Sequence, residues 1–197
     1  IENEITWGSE FIADVNIEFS SDNGQTWTEI VESASANTRA YSWNPPDIAS
    51  DECLIKISDV ANPEVFDICD ETFTLCQLEL TNPSGFTYAR VGTPFDVSWT
   101  SEFVDEISLA YKTSYNGEWV LIDEGIPASN GSYSWIPDVA SSWCKIQISE
   151  TGYPGVYDET DNFFIVFQLD LTSPSGGENL NGNSTHEITW NHEIISS

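Results

Sequence analysis

The stretch Cys53–Asp59 reads Cys-Leu-Ile-Lys-Ile-Ser-Asp, and it recurs at Cys144–Glu150 as Cys-Lys-Ile-Gln-Ile-Ser-Glu. The offset between the copies is 91 residues (144 − 53). In both copies apolar residues alternate with polar ones, and a period of two is typical of a half-buried β-strand. The two stretches therefore predict equivalent strands in two copies of one structural unit.

The similarity extends along the chain. The motif Ile/Val-x-Trp occurs three times, ending at Trp7, Trp99 and Trp190, and three longer motifs occur twice. Self-similarity at a fixed spacing is the signature of a repeat architecture. The predicted repeats of about 91 residues are residues 1–76, 77–167 and the start of an incomplete third, 168–197. The longer motifs are Tyr41–Trp43 with Tyr133–Trp135, Pro46–Ser50 with Pro137–Ser141, and Gln77–Gly85 with Gln168–Gly176.

Each complete repeat contains about seven short alternating segments with turn signals between them, which predicts an all-β chain of tandem immunoglobulin-like β-sandwiches. Asn23-Gly24 is a strong hairpin signal because both turn residues need positive φ. Matched tryptophans are expected in the core, with a sugar-binding platform as the alternative. Trp143 stands where the first repeat has Glu52, so it is the candidate exposed contact residue. The matched tryptophans are Trp7, Trp27, Trp43, Trp99, Trp119 and Trp135.

The chain is strongly acidic, with 33 Asp and Glu against 5 Lys and Arg and a net charge of −28. This charge excludes a nucleic-acid backbone or an anionic membrane surface as a partner. No apolar run approaches the roughly 18 residues of a membrane-spanning helix, so no membrane insertion is expected.

Catalytic chemistry is not expected. Both histidines, His186 and His192, lie in the incomplete repeat, so the complete repeats offer no Ser-His-Asp or Cys-His site. The cofactor expectation is none, although carboxylate-rich loops leave Ca²⁺ open because it prefers hard oxygen ligands. None of these loops has an EF-hand pattern. The densest groups are Asp47/Asp51/Glu52, Asp67/Asp70/Glu71 and Asp158/Glu159/Asp161.

Among the four cysteines, the strand pattern points Cys53 and Cys144 inward as small buried apolar residues. A disulfide between Cys53 and Cys76 remains open, since they begin and end neighbouring strands, and a bridge from Cys69 to Cys76 is a second option. Such a bridge would fit a secreted protein. Against the first option, the second repeat keeps Cys144 but has Phe167 in place of Cys76.

The last strand of each repeat runs almost directly into the first strand of the next, which predicts strand sharing between units. The first repeat lacks the Leu-x-Leu-Thr strand, whereas residues 169–197 carry one without a unit to complete. Open strand edges accept donated strands. Other copies of the same repeat or chain, arranged head to tail, are therefore the expected partners. Two arrangements stay open, a stretch of one continuous array of repeats or a subunit that polymerises. The expected contacts, buried against residues outside a single complete unit, are Leu169, Leu171, Ile188 and Trp190.

The order Pro-Ser-Gly, Ile-Thr-Trp, Tyr-Ser-Trp and Cys-x-Ile-x-Ile-Ser-Asp resembles the Ig-like repeats of large secreted bacterial surface proteins. These are similar to the N-terminal domain family of fungal cell-wall glucan-synthesis proteins. The resemblance implies a secreted, extracellular or cell-surface β-sandwich and transfers no catalytic or binding residue. The expected function is a non-catalytic structural or adhesive module of a long surface or filament protein. The alternative is a carbohydrate-binding accessory module of a secreted hydrolase, with a surface glycan as its partner.

Overall fold

The computed structural model describes residues 3–85 and 87–193. The chain is all-β, and the helices among the described residues are two three-residue 3₁₀ turns, Ala36–Thr38 and Ala128–Asn130. None of the described helices has the length and apolar character that a membrane crossing requires. The chain divides into two compact units. Unit 1 is Ile1–Gln77 with Glu102–Val104, and unit 2 is Leu78–Ser101 with Asp105–Ser197.

Unit 1 contains a small sheet and a larger one. The small sheet pairs β1 (Asn3–Thr6) with β4 (Ala40–Trp43). The larger sheet has the order β3 (Thr28–Ser35), β2 (Asp14–Ser20), β5 (Ser50–Asp59), β6 (Phe66–Ile68), and β7 (Phe73–Leu75) also pairs with β5.

Unit 2 also has a smaller and a larger sheet. The smaller has the order β13 (Ser132–Trp135), β10 (Phe95–Glu102), β8 (Gln77–Asn82). The larger has the order β12 (Val120–Pro127), β11 (Glu106–Lys112), β14 (Ser141–Glu150), β16 (Phe164–Ser173), β17 (Thr189–Glu193). Two short strands join it, β15 (Tyr157–Glu159) beside β14 and β9 (Tyr88–Arg90) parallel to β16.

Matched strands keep the same register in the two units. Ile17 faces Ile57 between β2 and β5, and Leu109 faces Ile148 between β11 and β14. Likewise, Cys53 faces Phe73 and Cys144 faces Phe164. The alternation in the sequence produces this pairing because residues two apart share one face of a strand. Ile17, Leu109 and Ile148 are fully buried.

The Asn-Gly turn between β2 and β3 forms as expected, with φ of 56° at Asn23 and 81° at Gly24. A Cβ on Gly24 would lie 3.4 Å from the Trp27 ring, so the turn rests on that ring. Lys56 Nζ lies 5.5 Å from the centre of the same ring, and Lys112 Nζ lies 4.5 Å from that of Trp119. Trp27 and Trp119 are thus each half-buried beneath a lysine, whereas the sequence predicted that they lie in the core.

Residues 59–70 and 150–161 each contain a short strand. These are β6 and β15, which add to the edges of β5 and β14. The ladder continues past them, because the Cys69 amide donates to the Ile55 carbonyl and the Thr160 amide donates to the Ile146 carbonyl. A three-residue strand is too short to show a period of two, which is why the sequence did not reveal them.

Neither disulfide left open by the sequence is formed in the structure. Ser50 is paired with Leu75 and Cys53 with Phe73, so Cys76 lies beyond Ser50 at the opposite end of the ladder. Three residues along a strand span roughly 10 Å, beyond the Cα separation of about 7 Å that a disulfide tolerates. Cys69 lies beside Ile55, farther still from Cys76.

Candidate functional site

An open apolar groove of about 830 Å³ runs along unit 1. Packed protein interiors rarely leave voids larger than a water molecule, so the groove is an uncovered part of the unit's core. β1 lines one part of the groove, and β5, β6 and β7 line the rest. The apolar side chains that line it include Ile5, Trp7, Trp43, Ile55, Ile57 and Phe73.

The matched surface of unit 2 is covered. Val97, Ile146 and Ile148 are 0% exposed, Trp99 3% and Trp135 5%, whereas their counterparts in unit 1 are only half-buried. In unit 2 the strand β8 lies on the edge of β10. Within residues 3–85 and 87–193, no strand pairs with the corresponding edge of β1. The groove is therefore the position that β8 occupies in unit 2.

Strand β8 is attached to unit 2 by more than apolar packing. Leu80 is buried, and its backbone N–H donates to Oδ2 of Asp158 on β15 at 2.7 Å. Thr81 Oγ1 lies 3.0 Å from Ser98 Oγ on β10. Asp67, at the position of Asp158 in unit 1, lines the groove and is exposed.

The four residues expected to make strand-sharing contacts are exposed in the single chain, at 50% for Leu169, 59% for Leu171, 62% for Ile188 and 57% for Trp190. Leu171 is paired with Trp190 between β16 and β17. Directly opposed residues share a face, as do residues two apart on one strand, so Leu169, Leu171 and Trp190 form an exposed apolar strip. Their burial against residues outside a single complete unit remains a prediction.

Trp143, expected to be an exposed contact residue, is 37% exposed and belongs to a cluster. Its ring meets that of Phe163 edge-on, with 5.0 Å between the ring centres, and the Tyr115 ring centre lies 5.9 Å from that of Phe163. Lys145 Nζ lies 5.6 Å from the centre of the Phe163 ring and 2.6 Å from Glu159 Oε1. None of the three matched positions in unit 1 is aromatic. Asp22 stands in place of Tyr115, Glu52 in place of Trp143, and Thr72 in place of Phe163.

In unit 1 the corresponding hairpin is held by polar contacts around Asp22. Its carboxylate accepts hydrogen bonds from the Thr26 hydroxyl at 2.6 Å, the Thr26 amide at 2.8 Å and the Ser20 hydroxyl at 2.8 Å. These bonds favour the charged form, with the Thr26 hydroxyl contributing most, and lower the pKa of Asp22 from 3.8 to about 2.

We expect this hairpin to open in acid. Because the folded-state pKa is lowered, the stabilisation by Asp22 is complete above its ordinary pKa near 4 and is lost as the pH falls through about 2. The Thr26 amide signal in NMR should move in this range. Asp22→Asn should remove the transition, and the Tyr115 hairpin of unit 2 is the internal control. A Thr26 signal that moves identically in Asp22→Asn would contradict this assignment.

The acidic loops that left Ca²⁺ open use several carboxylates in packing. Asp47 accepts a hydrogen bond from Gln77 Nε2 at 2.8 Å, Asp158 accepts two backbone N–H groups, and Glu159 pairs with Lys145. Within the described residues, no group of three or more His, Cys, Asp or Glu side chains is arranged to hold a metal ion.

Sequence reasoning missed two parts of these sites. It singled out Trp143 but not Tyr115 and Phe163, although all three positions change from polar to aromatic between repeats. It treated Asp67 and Asp158 as loop carboxylates. Their shared position in the repeat, 91 residues apart (158 − 67), was the available signal.

Comparison of the chain with protein-family models, with curated proteins and with solved structures finds no match. Three features of the residues themselves bear on function. These are the groove of unit 1, the exposed apolar strip of β16 and β17, and the aromatic cluster around Trp143.

Proposed function

We propose that the two units are copies of one immunoglobulin-like sandwich, and that the chain is a non-catalytic structural or adhesive module of a long extracellular surface or filament protein. One observation carries the proposal, which is the pairing of the continuous strand β16. Its first half pairs with β14 and with β9. Its second half repeats the sequence of β8 and pairs with β17.

A shared strand suits a load-bearing array because no flexible linker separates the repeats. Arg90 supports the junction within β16, since its guanidinium donates to the Leu169 carbonyl at 2.8 Å and lies 3.6 Å from the Asp170 carboxylate. Between β7 and β8 the chain has only Cys76. The net charge of −28 favours solubility and disfavours side-by-side collapse of such arrays. The resemblance to secreted surface repeats supports an extracellular location.

Single-molecule stretching of the 197-residue chain between its ends tests this function. A structural module should unfold in two discrete steps, one per unit. Each residue released adds about 3.3–3.6 Å of contour length, so a complete repeat of about 91 residues gives roughly 300 Å before its folded length is subtracted. Gradual extension without discrete steps would contradict a load-bearing role.

The aromatic cluster supports the second candidate, a carbohydrate-binding accessory module. Exposed Trp and Tyr rings combine an apolar face with a polar tip, which suits a sugar ligand. A glycan array probed with the full chain tests this candidate, with Trp143→Glu as the matched variant because unit 1 has Glu52 at this position. Binding that Trp143→Glu abolishes would favour the accessory module over the structural one. Absence of binding would remove the candidate.

A further inference from the structure

The groove of unit 1 has the shape and chemistry of a receptor for one particular strand. We propose that it binds the strand Gln168–Ser173 of a second copy of this chain. In the complex Leu169 and Leu171 fill the groove, and the Leu171 N–H donates to Asp67. This inference rests on the proposed function in one respect, that the two units are copies of one sandwich.

The identity of the occupant comes from unit 2. There the covering strand is β8, with the sequence Gln-Leu-Glu-Leu-Thr-Asn, and Gln168–Ser173 reads Gln-Leu-Asp-Leu-Thr-Ser. Its two leucines are exposed in the single chain, at 50% and 59%, whereas the matched Leu80 is 9% exposed. Moving both from water into the groove removes apolar surface on both partners, which favours association.

Asp67 provides the polar contact. In unit 2, Asp158 accepts the Leu80 N–H at 2.7 Å, and Leu171 is the residue that matches Leu80. Asp67 matches Asp158 and lines the groove. A hydrogen bond to a charged acceptor is stronger than one between neutral groups, so it would fix the position of the incoming strand.

The register follows from β17, whose residue Trp190 corresponds to Trp7. Since Leu171 faces Trp190 and Leu169 faces His192, the incoming strand places Leu171 opposite Trp7 and Leu169 opposite Ser9. The Trp7 N–H donates to the Arg39 carbonyl on the β4 side. In unit 2 the matched strand β10 runs on to Glu102, and in the proposed complex β1 extends past Thr6 in the same way. Neighbouring residues of a strand point their N–H groups to opposite edges, so Gly8 then offers its N–H to the new strand. The Leu171 N–H then points away from β1, as the contact with Asp67 requires.

In the donor copy, Gln168–Ser173 exchanges its pairing with β17 for pairing with β1 of the acceptor. The short connection through Cys76 in this chain shows that such a strand can follow its own unit directly. Both chains are strongly acidic, so the association is expected to strengthen with salt, and the tests belong at about 0.15 M ionic strength or above.

The first test adds a peptide with the sequence of Gln168–Gly176 to the full chain and follows alkylation of Cys69 by mass mapping. Cys69 lines the groove and is exposed, whereas the matched Thr160 is buried at 5% exposure. Saturating peptide should slow Cys69 alkylation by about tenfold or more, because the thiol reacts only when the bound strand opens away from the groove. The control peptide carries asparagine at both leucine positions. An unchanged Cys69 rate at millimolar peptide would overturn the proposal.

The contact with Asp67 is tested separately from binding as such. Asp67→Ala is an exposed substitution and should weaken the peptide roughly tenfold, the usual effect of losing a hydrogen bond to a charged group. N-methylation of the peptide leucine that matches Leu171 should weaken binding to the unsubstituted chain. It should have little further effect in Asp67→Ala. If N-methylation weakens binding equally in the unsubstituted chain and in Asp67→Ala, the predicted hydrogen bond between the leucine N–H and Asp67 is excluded.

The second test identifies the partner as a second copy. The double variant Leu169→Asn/Leu171→Asn can accept a strand but cannot donate one. Gly8→Pro removes the Gly8 N–H that the incoming strand would bind, so this variant can donate a strand but cannot accept one. A Cβ at Gly8 has open space, and proline is tolerated on edge strands. Asp67→Lys is a second receptor variant in case Gly8→Pro unfolds unit 1. Each variant alone should remain monomeric in sedimentation, and an equimolar mixture should form a dimer that grows no further.

A mixture that stays monomeric although the peptide binds would overturn the second copy as occupant, and so would self-association of the donor-blocked variant. The outcome is independent of the test of the proposed function. If stretching shows no discrete steps but the variants form dimers, the proposed function fails and this inference stands. If unfolding is discrete but no dimer forms, the inference fails and the proposed function stands.

Discussion

Trp99→Ala should lower the free energy of unfolding of unit 2 by about 3–5 kcal/mol, the usual cost of removing a buried large aromatic side chain. Trp99 is 3% exposed, and its Nε1–H donates to the Ala128 carbonyl at 2.8 Å. The substitution leaves both a cavity and an unpaired carbonyl. Urea unfolding followed by NMR signals from each unit gives the change for unit 2 separately from unit 1.

The matched control is Trp7→Ala in unit 1. Trp7 is half-buried beside the groove, and its Nε1–H donates to the Ala36 carbonyl at 3.3 Å. Because less surface is covered and the bond is longer, the cost should be clearly smaller than for Trp99→Ala. Equal costs for the two substitutions would mean that unit 1 is as well packed as unit 2 and would contradict the open groove.

Leu80→Ala should destabilise unit 2 by about 2–5 kcal/mol, in the range of buried leucine truncations. Leu80 lies on β8 with 9% exposure and is anchored through its N–H to Asp158. Loosening β8 uncovers the faces of Ile146 and Ile148, which are now fully buried. The measurement is again urea unfolding resolved for unit 2.

Leu171→Ala is the matched control because Leu171 occupies the same repeat position with 59% exposure. At protein concentrations where the chain is monomeric, its effect should stay within about 0.5 kcal/mol, as for other surface substitutions. A large loss for Leu171→Ala in the monomer would show that the apolar strip is already part of a packed core.

The strand framework could be predicted from the sequence because alternation and turn chemistry are local. The all-β class is confirmed, and so are the alternating strands β5 and β14 and the Asn23-Gly24 turn. The last strand of each repeat was predicted to run almost directly into the next Leu-x-Leu strand. In the structure only Cys76 separates β7 from β8, and the second junction lies within the continuous strand β16.

Features that depend on pairing at a distance were not predictable in the same way. Strands β6, β9 and β15 have three residues each, and their existence follows from the edges on which they lie rather than from a pattern of their own. The Cys53–Cys76 bridge was considered because both residues lie at strand ends. The register of β5 with β7 separates them.

For the candidate site, the sequence predicted an incomplete edge and named Leu169, Leu171, Ile188 and Trp190, but it could not show where an incoming strand would bind. That required the difference in burial between Ile55 and Ile146, which have the same sequence context. The contact between Asp158 and the Leu80 backbone spans 78 residues of chain and leaves no local signal.

The central claim is that unit 1 is the same sandwich as unit 2 without its β8 strand. The most direct measurement is hydrogen exchange on a chain to which a copy of Gln77–Gly92 has been added directly before Ile1. This places the added strand at the same distance before Trp7 as β8 lies before Trp99. The account predicts that exchange at the Ile55 and Ile57 amides slows to the level of Ile146 and Ile148. It also predicts no such slowing when both added leucines are asparagine. Exchange in β5 that is unchanged by the added strand would contradict the claim.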